Sequence, residues 1–113
     1  MIALIEQNWE QIAALCRQYG VERLEVFGSA ATGAFNFSTS DIDFIVQFME
    51  PDKPGIARLY IDFSDALERQ FERAVDVIID QPFRNPYFAQ SVAESRHLIY
   101  EQSIGLHMLL ENH

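Results

Sequence analysis

The sequence predicts a small α/β (α+β) fold, in which a mixed sheet carries helices packed on one face and residues 1–113 form a single domain. Three observations support this prediction. The chain has 113 residues, of which 49% are hydrophobic and 22% are charged, and this balance is typical of one globular domain. Helix-like and strand-like hydrophobic patterns alternate along the chain. No internal repeat, low-complexity tract or linker divides it.

The first half of the chain predicts one helix and two strands. Apolar residues recur every three or four positions over residues 2–19, which predicts an amphipathic helix that ends at Gly20. Residues 24–27 are typical of a short strand, and residues 41–48, with the sequence DIDFIVQF, are typical of a longer one. Residues 28–40 between these strands are rich in Gly, Ser and Thr, so we expect a loop there.

The second half predicts a helix, a strand and another helix. The helical period returns over residues 56–71, and the sequence AVDVII at residues 74–79 is strand-like. Asn85 and Pro86 predict the start of a helix, because Asn caps helix N-termini and Pro is favoured at the first helical position. The segment HLIY that follows fits a strand or a helix, and residues 103–110 are predicted to be helical.

The charge balance argues against autonomous binding to nucleic acid. Eight Lys and Arg residues oppose 17 Asp and Glu residues, and the formal net charge is −9, so the surface repels a phosphate backbone. No Lys or Arg occurs between Arg23 and Lys53, whereas several acidic residues do. A metal ion or the basic surface of a partner protein would relieve this repulsion. The alternative is an acidic face that only keeps the protein in solution.

A single cysteine and the lack of a targeting segment predict a cytoplasmic protein. Cys16 can form no intrachain disulfide, which suits a reducing compartment. Cys16 also lies on the apolar stripe of the first helix, so we expect it to be buried as a small hydrophobic residue. The N-terminus has no basic segment before Glu6, and no apolar run approaches the ~20 residues that span a bilayer. We therefore expect no membrane partner.

Three aspartates are predicted to lie on one face of the sheet. In the strand at 41–48 the apolar residues alternate and must face the core, so Asp41 and Asp43 point together to the other side. Their backbones are about 6.6 Å apart, which lets both carboxylates reach one metal ion or a pair. The same alternation at 74–79 predicts that Ile79 lies on the core face and Asp76 on the opposite one. If the two strands are neighbours, the three carboxylates converge.

Such a cluster predicts a divalent cation and phosphate chemistry. No Lys or Arg lies near Asp41 and Asp43 in the sequence, so adjacent carboxylates stay ionised only if cations neutralise them. Oxygen ligands from so few residues favour Mg²⁺ or Mn²⁺, completed by water and substrate phosphates. Asp76 has an alternative interpretation, as an acid near the sheet edge without a role at the site.

Gly28 and Ser29 are predicted to bind phosphate at the end of the first strand. Gly28 permits a tight turn and the close approach of a ligand. Ser29 offers a hydroxyl at the start of a short helix that Gly33 ends, and the free N–H groups of that helix would face a phosphate. A plain turn is the alternative, because Gly-Ser alone is common. Gly-Ser followed by Asp-x-Asp at a suitable spacing is expected only about 0.002 times by chance, which favours a nucleotide site.

Together these residues resemble the DNA polymerase β-like nucleotidyltransferase superfamily, and in particular its minimal nucleotidyltransferase antitoxins, which pair with HEPN-domain toxins. The segment FGSAATGAFNFSTSDIDFIV resembles the family's Gly-Ser and Asp-x-Asp signature, VDVII its third-carboxylate strand, and NPYFAQSV with LIYE its C-terminal segment. The likeness covers residues 24–101. It implies the polymerase β-like nucleotidyltransferase fold.

The resemblance also implies an activity and a role for each site residue. Asp41 and Asp43 would hold two Mg²⁺ ions on ATP, and Asp76 would complete the metal site and help to deprotonate the acceptor. Gly28 and Ser29 would bind the terminal phosphates. In the antitoxin branch the acceptor is a tyrosine hydroxyl of the partner HEPN toxin, a basic RNase, which the addition of AMP would silence.

Two other functions stay open. Thr32 stands where family members often carry Arg, which favours an antitoxin that neutralises its toxin by binding alone. The second is a nucleotidyltransferase that acts on a small molecule, as antibiotic nucleotidyltransferases do, although the small size of the chain disfavours it. Among the aromatic residues of the last helix, we expect Phe88 to pack in the core and Tyr87 to belong to a partner surface.

Overall fold

The computed structural model describes residues 1–102, which form a four-stranded mixed sheet with helices on both faces. The predicted fold class is confirmed, and the helix predicted over residues 103–110 lies outside the described residues. In chain order the elements are α1 Ala3–Gln7, α2 Trp9–Gln18, β1 Val21–Phe27, α3 Ser29–Thr32, β2 Ile42–Phe48, α4 Ile56–Phe71, β3 Val75–Ile79, α5 Pro86–Ser95 and β4 His97–Glu101.

The strand order of the sheet is β3-β2-β1-β4. β1 is antiparallel to both β2 and β4. β2 and β3 are parallel and are joined through α4, because a parallel pair needs a long crossover connection. This connectivity brings the end of β1, the start of β2 and the start of β3 to the same end of the sheet.

The first face of the sheet is apolar and packs against α2 and α4. Alternate residues of β2 are buried there, as the sequence pattern predicts. Burying a large aliphatic or aromatic side chain stabilises a fold by roughly 1.5–3 kcal/mol, so this layer is a main source of stability. Its members from the sheet and these two helices include Leu24, Val26, Ile42, Phe44, Val46, Phe48, Val77, Ile12, Cys16, Phe63 and Leu67.

The second face carries a smaller apolar cluster beneath α5. Phe27 and Ile45 point to this side and pack with Val92 of α5, and the partly buried Ile78 and Phe83 pack against them. The prediction that helices pack on one face holds for α2 and α4, whereas α5 packs on the opposite face. α5 packs on this face because its Val92 side chain joins the cluster. The helix also begins only a few residues after the edge strand β3.

The helix predicted over residues 2–19 is wrong, because the structure has two helices there, α1 and α2. The chain leaves helical geometry at Asn8. The side-chain amide of Asn8 donates to the Leu4 carbonyl at 2.8 Å, and its oxygen accepts from Gln70 at 2.8 Å. A polar side chain that binds the backbone of its own helix competes with the helical hydrogen bonds. The contact with Gln70 of α4 fixes the break against its neighbour.

Three other expectations about the strands need correction. β1 begins at Val21 rather than at residue 24, because Val21 pairs with Phe48 despite its polar neighbours. Asp41 lies just outside β2. Ile79 is 38% exposed rather than part of the core, since it ends β3, an edge strand that nothing among residues 1–102 pairs with on its outer side.

The remaining element predictions are confirmed, and the structure settles the segment that the sequence left open. The helix over residues 56–71 is α4. Asn85 caps α5, since its side-chain oxygen accepts from the backbone N–H groups of Tyr87 and Phe88. The segment HLIY belongs to strand β4, which pairs with β1. Within residues 1–102, no helix has both the length and the apolar character required to cross a membrane.

A buried carboxylate ties the end of α5 to the second face of the sheet. Glu25 is 3% exposed, and the Arg96 guanidinium donates to both of its oxygens at 2.7 Å. Arg96 also lies 3.1 Å from Asp80, and Arg23 lies 2.9 Å from Glu25. Burial alone would raise the pKa of Glu25, but the hydrogen bonds and charge of Arg96, aided by Arg23, hold it below its usual range. Because Arg96 directly follows α5, this network fixes where the helix ends.

We expect Arg96→Met to lower the free energy of unfolding by about 2 kcal/mol, because the variant leaves a buried carboxylate with Arg23 as its remaining partner. Arg58→Met is the matched control, since the Arg58–Asp62 ion pair is exposed (77% and 40% for the two side chains). Its loss should change stability by less than about 0.5 kcal/mol. Urea unfolding of both variants measures the difference.

The pH dependence of this loss provides a second check. A carboxyl whose pKa is lowered by folding stabilises the protein above its ordinary pKa, and that contribution disappears as the pH falls through the lowered value. The penalty of Arg96→Met should therefore shrink in acid as Glu25 takes up a proton. Equal penalties for Arg96→Met and Arg58→Met at neutral pH would contradict the role given to this network.

Candidate active site

The structure brings the predicted site residues together at one end of the sheet. Gly28 directly follows β1, Asp43 is the second residue of β2, and Asp76 is the second residue of β3. Ser29 begins α3 immediately after Gly28, and Asp41 immediately precedes β2. The convergence follows from the strand order, because β2 lies between β1 and β3.

Asp43 and Asp76 are register partners on adjacent parallel strands. Neighbouring strands lie about 4.8 Å apart, so the two side chains project side by side from the second face of the sheet. Burial, followed by the negative charges of Asp76 and Asp41, raises the pKa of Asp43 to about 6. Within residues 1–102, no hydrogen bond or ion pair holds any of these three carboxylates. Their repulsion is thus left uncompensated by the protein.

Gly28 allows the backbone of the turn to lie against the Asp43 carboxylate. Its backbone dihedrals are φ 70° and ψ −148°, a combination that side-chain-bearing residues avoid. A Cβ atom at this position would lie only 2.7 Å from Asp43 Oδ2. The Gly28 N–H donates to Ser95 Oγ at 2.9 Å, which anchors the turn to the end of α5. Both backbone conformation and contact distance therefore require glycine here.

The single turn α3 presents Ser29 next to this glycine. Ala30 and Ala31 are buried, the Ile2 N–H donates to the Ala30 carbonyl at 2.9 Å, and Gly33 ends the turn in the left-handed conformation, as predicted. The core and the N-terminal segment thus hold α3 in place. The Ser29 hydroxyl has no hydrogen-bond partner among the described residues, so it is available to a ligand.

Arg73 supplies a cation to the loop that precedes Asp41. It donates to the Phe37 carbonyl at 2.7 Å, and its guanidinium lies over the rings of Phe35 (5.0 Å) and Phe37 (5.2 Å). The sequence analysis did not predict this contact, because it expected a metal ion or a partner's basic surface and Arg73 lies 32 positions after Asp41. Since Arg73 is engaged by the loop, it orders the approach to β2 and does not neutralise the carboxylates.

The carboxylates fit a divalent cation that is shared with a substrate. Within residues 1–102, no group of three or more His, Cys, Asp or Glu side chains could hold a metal ion on its own. Mg²⁺ needs fewer protein ligands, because it keeps several waters and is bound by one or two carboxylates together with substrate phosphates. Asp43 and Asp76 provide that donor set, and their uncompensated charge favours a cation between them.

Two features of the site were not predicted from the sequence. Ser95 is 7% exposed and accepts the hydrogen bond from Gly28. Phe88, expected in the core, is 41% exposed and contacts Phe27 at the margin of the site. Phe88, Val92 and Ser95 recur at helical spacing, so the sequence does carry a signal: a polar residue that ends an apolar stripe indicates a buried hydrogen bond.

Asp43→Asn should stabilise the metal-free protein at neutral pH. The folded state binds a proton on Asp43 more tightly than the unfolded state does, so stability falls as the pH rises from the ordinary pKa of 3.8 through about 6. Above that range the variant should gain about 1 kcal/mol, a discounted figure because the carboxyl is only half-buried. Denaturant unfolding from acid to neutral pH in chelator-treated buffer measures this, with the exposed Asp65→Asn as control. A variant less stable than the natural protein at every pH would mean that this carboxylate is structural.

Gly28→Ala and Gly55→Ala separate backbone strain from the close contact with Asp43. Both glycines have positive φ, but nothing lies within 4 Å of a Cβ built at Gly55. We expect a loss of about 1 kcal/mol for Gly55→Ala and about 3 kcal/mol for Gly28→Ala, because Gly28→Ala adds the collision with Asp43 and its dihedrals, φ 70° and ψ −148°, are less favourable for alanine than the left-handed conformation of Gly55. Adding Asp43→Ala to Gly28→Ala should recover part of the loss, whereas additive effects in this double-mutant cycle would refute the contact.

Comparisons with known proteins agree with this geometry. The family model described as the nucleotidyltransferase domain matches residues 10–99. A solved structure of a minimal nucleotidyltransferase superposes with a TM-score of 0.64 and 26% identity, and the match covers 81% of this chain and 89% of that one. No match to a curated protein sequence was found.

Two toxin–antitoxin crystal structures share the fold. One, with AMP-PNP, has a TM-score of 0.64 and 18% identity over 92% of this chain and 82% of that chain. The other is a mutant of MntA–HpeT in which two aspartates are changed to glutamate, with a TM-score of 0.64 and 16% identity over the same shares. Given the family match over residues 10–99, the chain belongs to the nucleotidyltransferase domain family, and the predicted resemblance to its minimal nucleotidyltransferases is confirmed.

Proposed function

We propose that the chain is a Mg²⁺-dependent nucleotidyltransferase that transfers AMP from ATP to a tyrosine hydroxyl of a partner HEPN toxin and thereby acts as its antitoxin. The observation that carries this proposal is the in-register pair Asp43 and Asp76 beside the Gly28 turn. Two like charges held side by side without a protein cation are a costly arrangement, which a metal–nucleotide complex relieves. We also propose that residues 1–113 form a single domain.

The turn after β1 would receive the phosphates. Gly28 lacks a side chain, so a ligand can approach the backbone, and Ser29 has an unpaired hydroxyl that can donate to a phosphate oxygen. The Gly28 N–H is occupied by Ser95, so Ser29 rather than the Gly28 amide would contact the terminal phosphates. Ser95 would keep the turn in the geometry that this contact needs.

The three carboxylates would have two tasks, metal binding and proton transfer. Asp43 and Asp76 would hold two Mg²⁺ ions, with Asp41 and the substrate phosphates completing the coordination, and the ions would neutralise the triphosphate and make the α-phosphorus more electrophilic. Asp76 is exposed, so an acceptor hydroxyl can reach it from solvent, and its carboxylate would take the hydroxyl proton. A new bond then forms between the acceptor oxygen and the α-phosphorus. The bond from that phosphorus to the leaving oxygen breaks, and pyrophosphate departs with its electron pair.

Charge and the comparisons support a protein acceptor. The net charge of −9 favours a partner with a basic surface, as an RNase needs in order to hold RNA. Two of the similar structures are toxin–antitoxin structures, and one of them contains AMP-PNP. A basic toxin that presents an accessible tyrosine next to the carboxylates would complete the site.

Incubation with a basic HEPN toxin, ATP and Mg²⁺ should raise the mass of the toxin by one or more AMP units. Asp43→Asn and Asp76→Asn should each slow this transfer by more than about 100-fold, because each removes a ligand that acts on the reacting phosphate. The exposed Asp65→Asn on α4 should transfer normally. Intact-mass spectrometry of the toxin measures the product, and chelation of Mg²⁺ should abolish it. Association should weaken with added salt.

Three outcomes would contradict the proposal. A complex that neutralises the toxin without any mass change at saturating ATP would identify an antitoxin that acts by binding alone. Transfer of AMP to a small molecule, without binding to a toxin, would identify an enzyme of the antibiotic-modifying type. Full transfer activity in the Asp43→Asn, Asp76→Asn double variant would remove the carboxylates from the reaction.

A further inference from the structure

Phe88 is an exposed aromatic ring at the border of the candidate active site. The residue is 41% exposed, yet its ring contacts Phe27 with centroids 6.1 Å apart and Phe83 with centroids 5.2 Å apart. Its backbone N–H donates to the Asn85 cap at 3.3 Å, so the start of the helix holds the residue in place. A large ring that is exposed and also fixed is a preorganised surface for a ligand.

The contact with Phe27 places this ring next to the carboxylates. Phe27 lies directly opposite Asp43 in the antiparallel β1–β2 pair, and such cross-strand side chains stand about 5 Å apart at their Cβ atoms. Phe27 and Ile45, which follows Asp43 by two residues on the same strand face, belong to one cluster with Phe83. A single side chain, that of Phe27, therefore separates Phe88 from Asp43. Phe88 lies on the face of the sheet that also carries Asp76.

Phe88 keeps an exposed aromatic surface although two other rings contact it. Both contacts are T-shaped, with interplanar angles of 87° to Phe27 and 90° to Phe83, and 41% of the residue stays exposed. Flat aromatic ligands such as nucleobases form offset-stacked contacts with exposed rings of this kind.

We propose that Phe88 stacks on the nucleobase of the nucleoside triphosphate whose phosphates bind at the carboxylates. This inference rests on the proposed function and extends it by assigning a base-binding residue. A nucleobase is favoured over a partner's side chain as the occupant, because Phe88 contacts the register partner of Asp43 and the base is covalently joined to the phosphates that would bind there. Stacking on an aromatic ring tolerates every base. We therefore expect the dissociation constants for ATP and GTP to lie within a few-fold of each other.

The test compares a ligand that has a base with one that lacks it. Calorimetric titration with Mg²⁺–ATP and with Mg²⁺–tripolyphosphate is carried out on the natural protein and on Phe88→Ala, Phe88→Leu and Phe88→Trp. We expect Phe88→Ala and Phe88→Leu to weaken ATP binding about 10-fold and to leave tripolyphosphate binding unchanged, while Phe88→Trp retains ATP binding. Phe88→Leu keeps the apolar packing, which guards against loss of fold. Ile61→Ala removes a similarly exposed side chain (47%) from α4 and should change neither affinity.

The other outcomes overturn the inference in distinguishable ways. Equal affinities of the natural protein for ATP and tripolyphosphate would show that no base is bound, while the proposed phosphate chemistry stands. An equal loss of affinity for ATP and for tripolyphosphate in Phe88→Leu would show that Phe88 affects binding through the carboxylates. Unchanged ATP binding with lost association to a toxin would assign the ring to a protein interface. Failure of the natural protein to bind either ligand would overturn the proposed function together with this inference.

Discussion

The site depends on one constraint, the register of two parallel strands that sets Asp43 beside Asp76. Strand pairing fixes which residues stand next to each other, and the core on the first face fixes which way they point. Ile42 and Phe44 are fully buried on that face, so Asp43 between them has only the second face available. The sheet can be stabilised by its core while its other face carries a repulsive pair, because the two faces are separate.

Several contacts hold the chain segments around this repulsive pair in place. The Gly28 turn lies against Asp43 and is anchored by Ser95 at the end of α5. Arg96, the next residue, binds the buried Glu25 and reaches Asp80 beyond β3. The same short segment thus attaches the turn after β1 and braces the second face of the sheet.

Much of this arrangement could be predicted from the sequence, because it follows from local patterns. Alternation along β2 and β3 is enough to assign the aspartates to one face, and Asn85 with Pro86 marks the start of α5 by simple capping chemistry. The break at Asn8 interrupts a hydrophobic period that continues across it, and one of the two contacts that stabilise it comes from Gln70, which is 62 positions away in the chain. The Glu25–Arg96 pair, 71 positions apart, and the exposure of Phe88 likewise arise from tertiary contacts that a hydrophobic period does not encode. Whether two predicted strands are neighbours also depends on tertiary contacts. The sequence alone therefore could not establish that Asp43 and Asp76 converge.

The most direct measurement of the central claim is a crystal structure of the chain with Mn²⁺ and a non-hydrolysable ATP analogue, in which the anomalous signal locates the metal. We expect metal between the Asp43 and Asp76 carboxylates and phosphate oxygens next to Gly28 and Ser29. Metal or triphosphate bound elsewhere, with both carboxylates left without a cation, would contradict it.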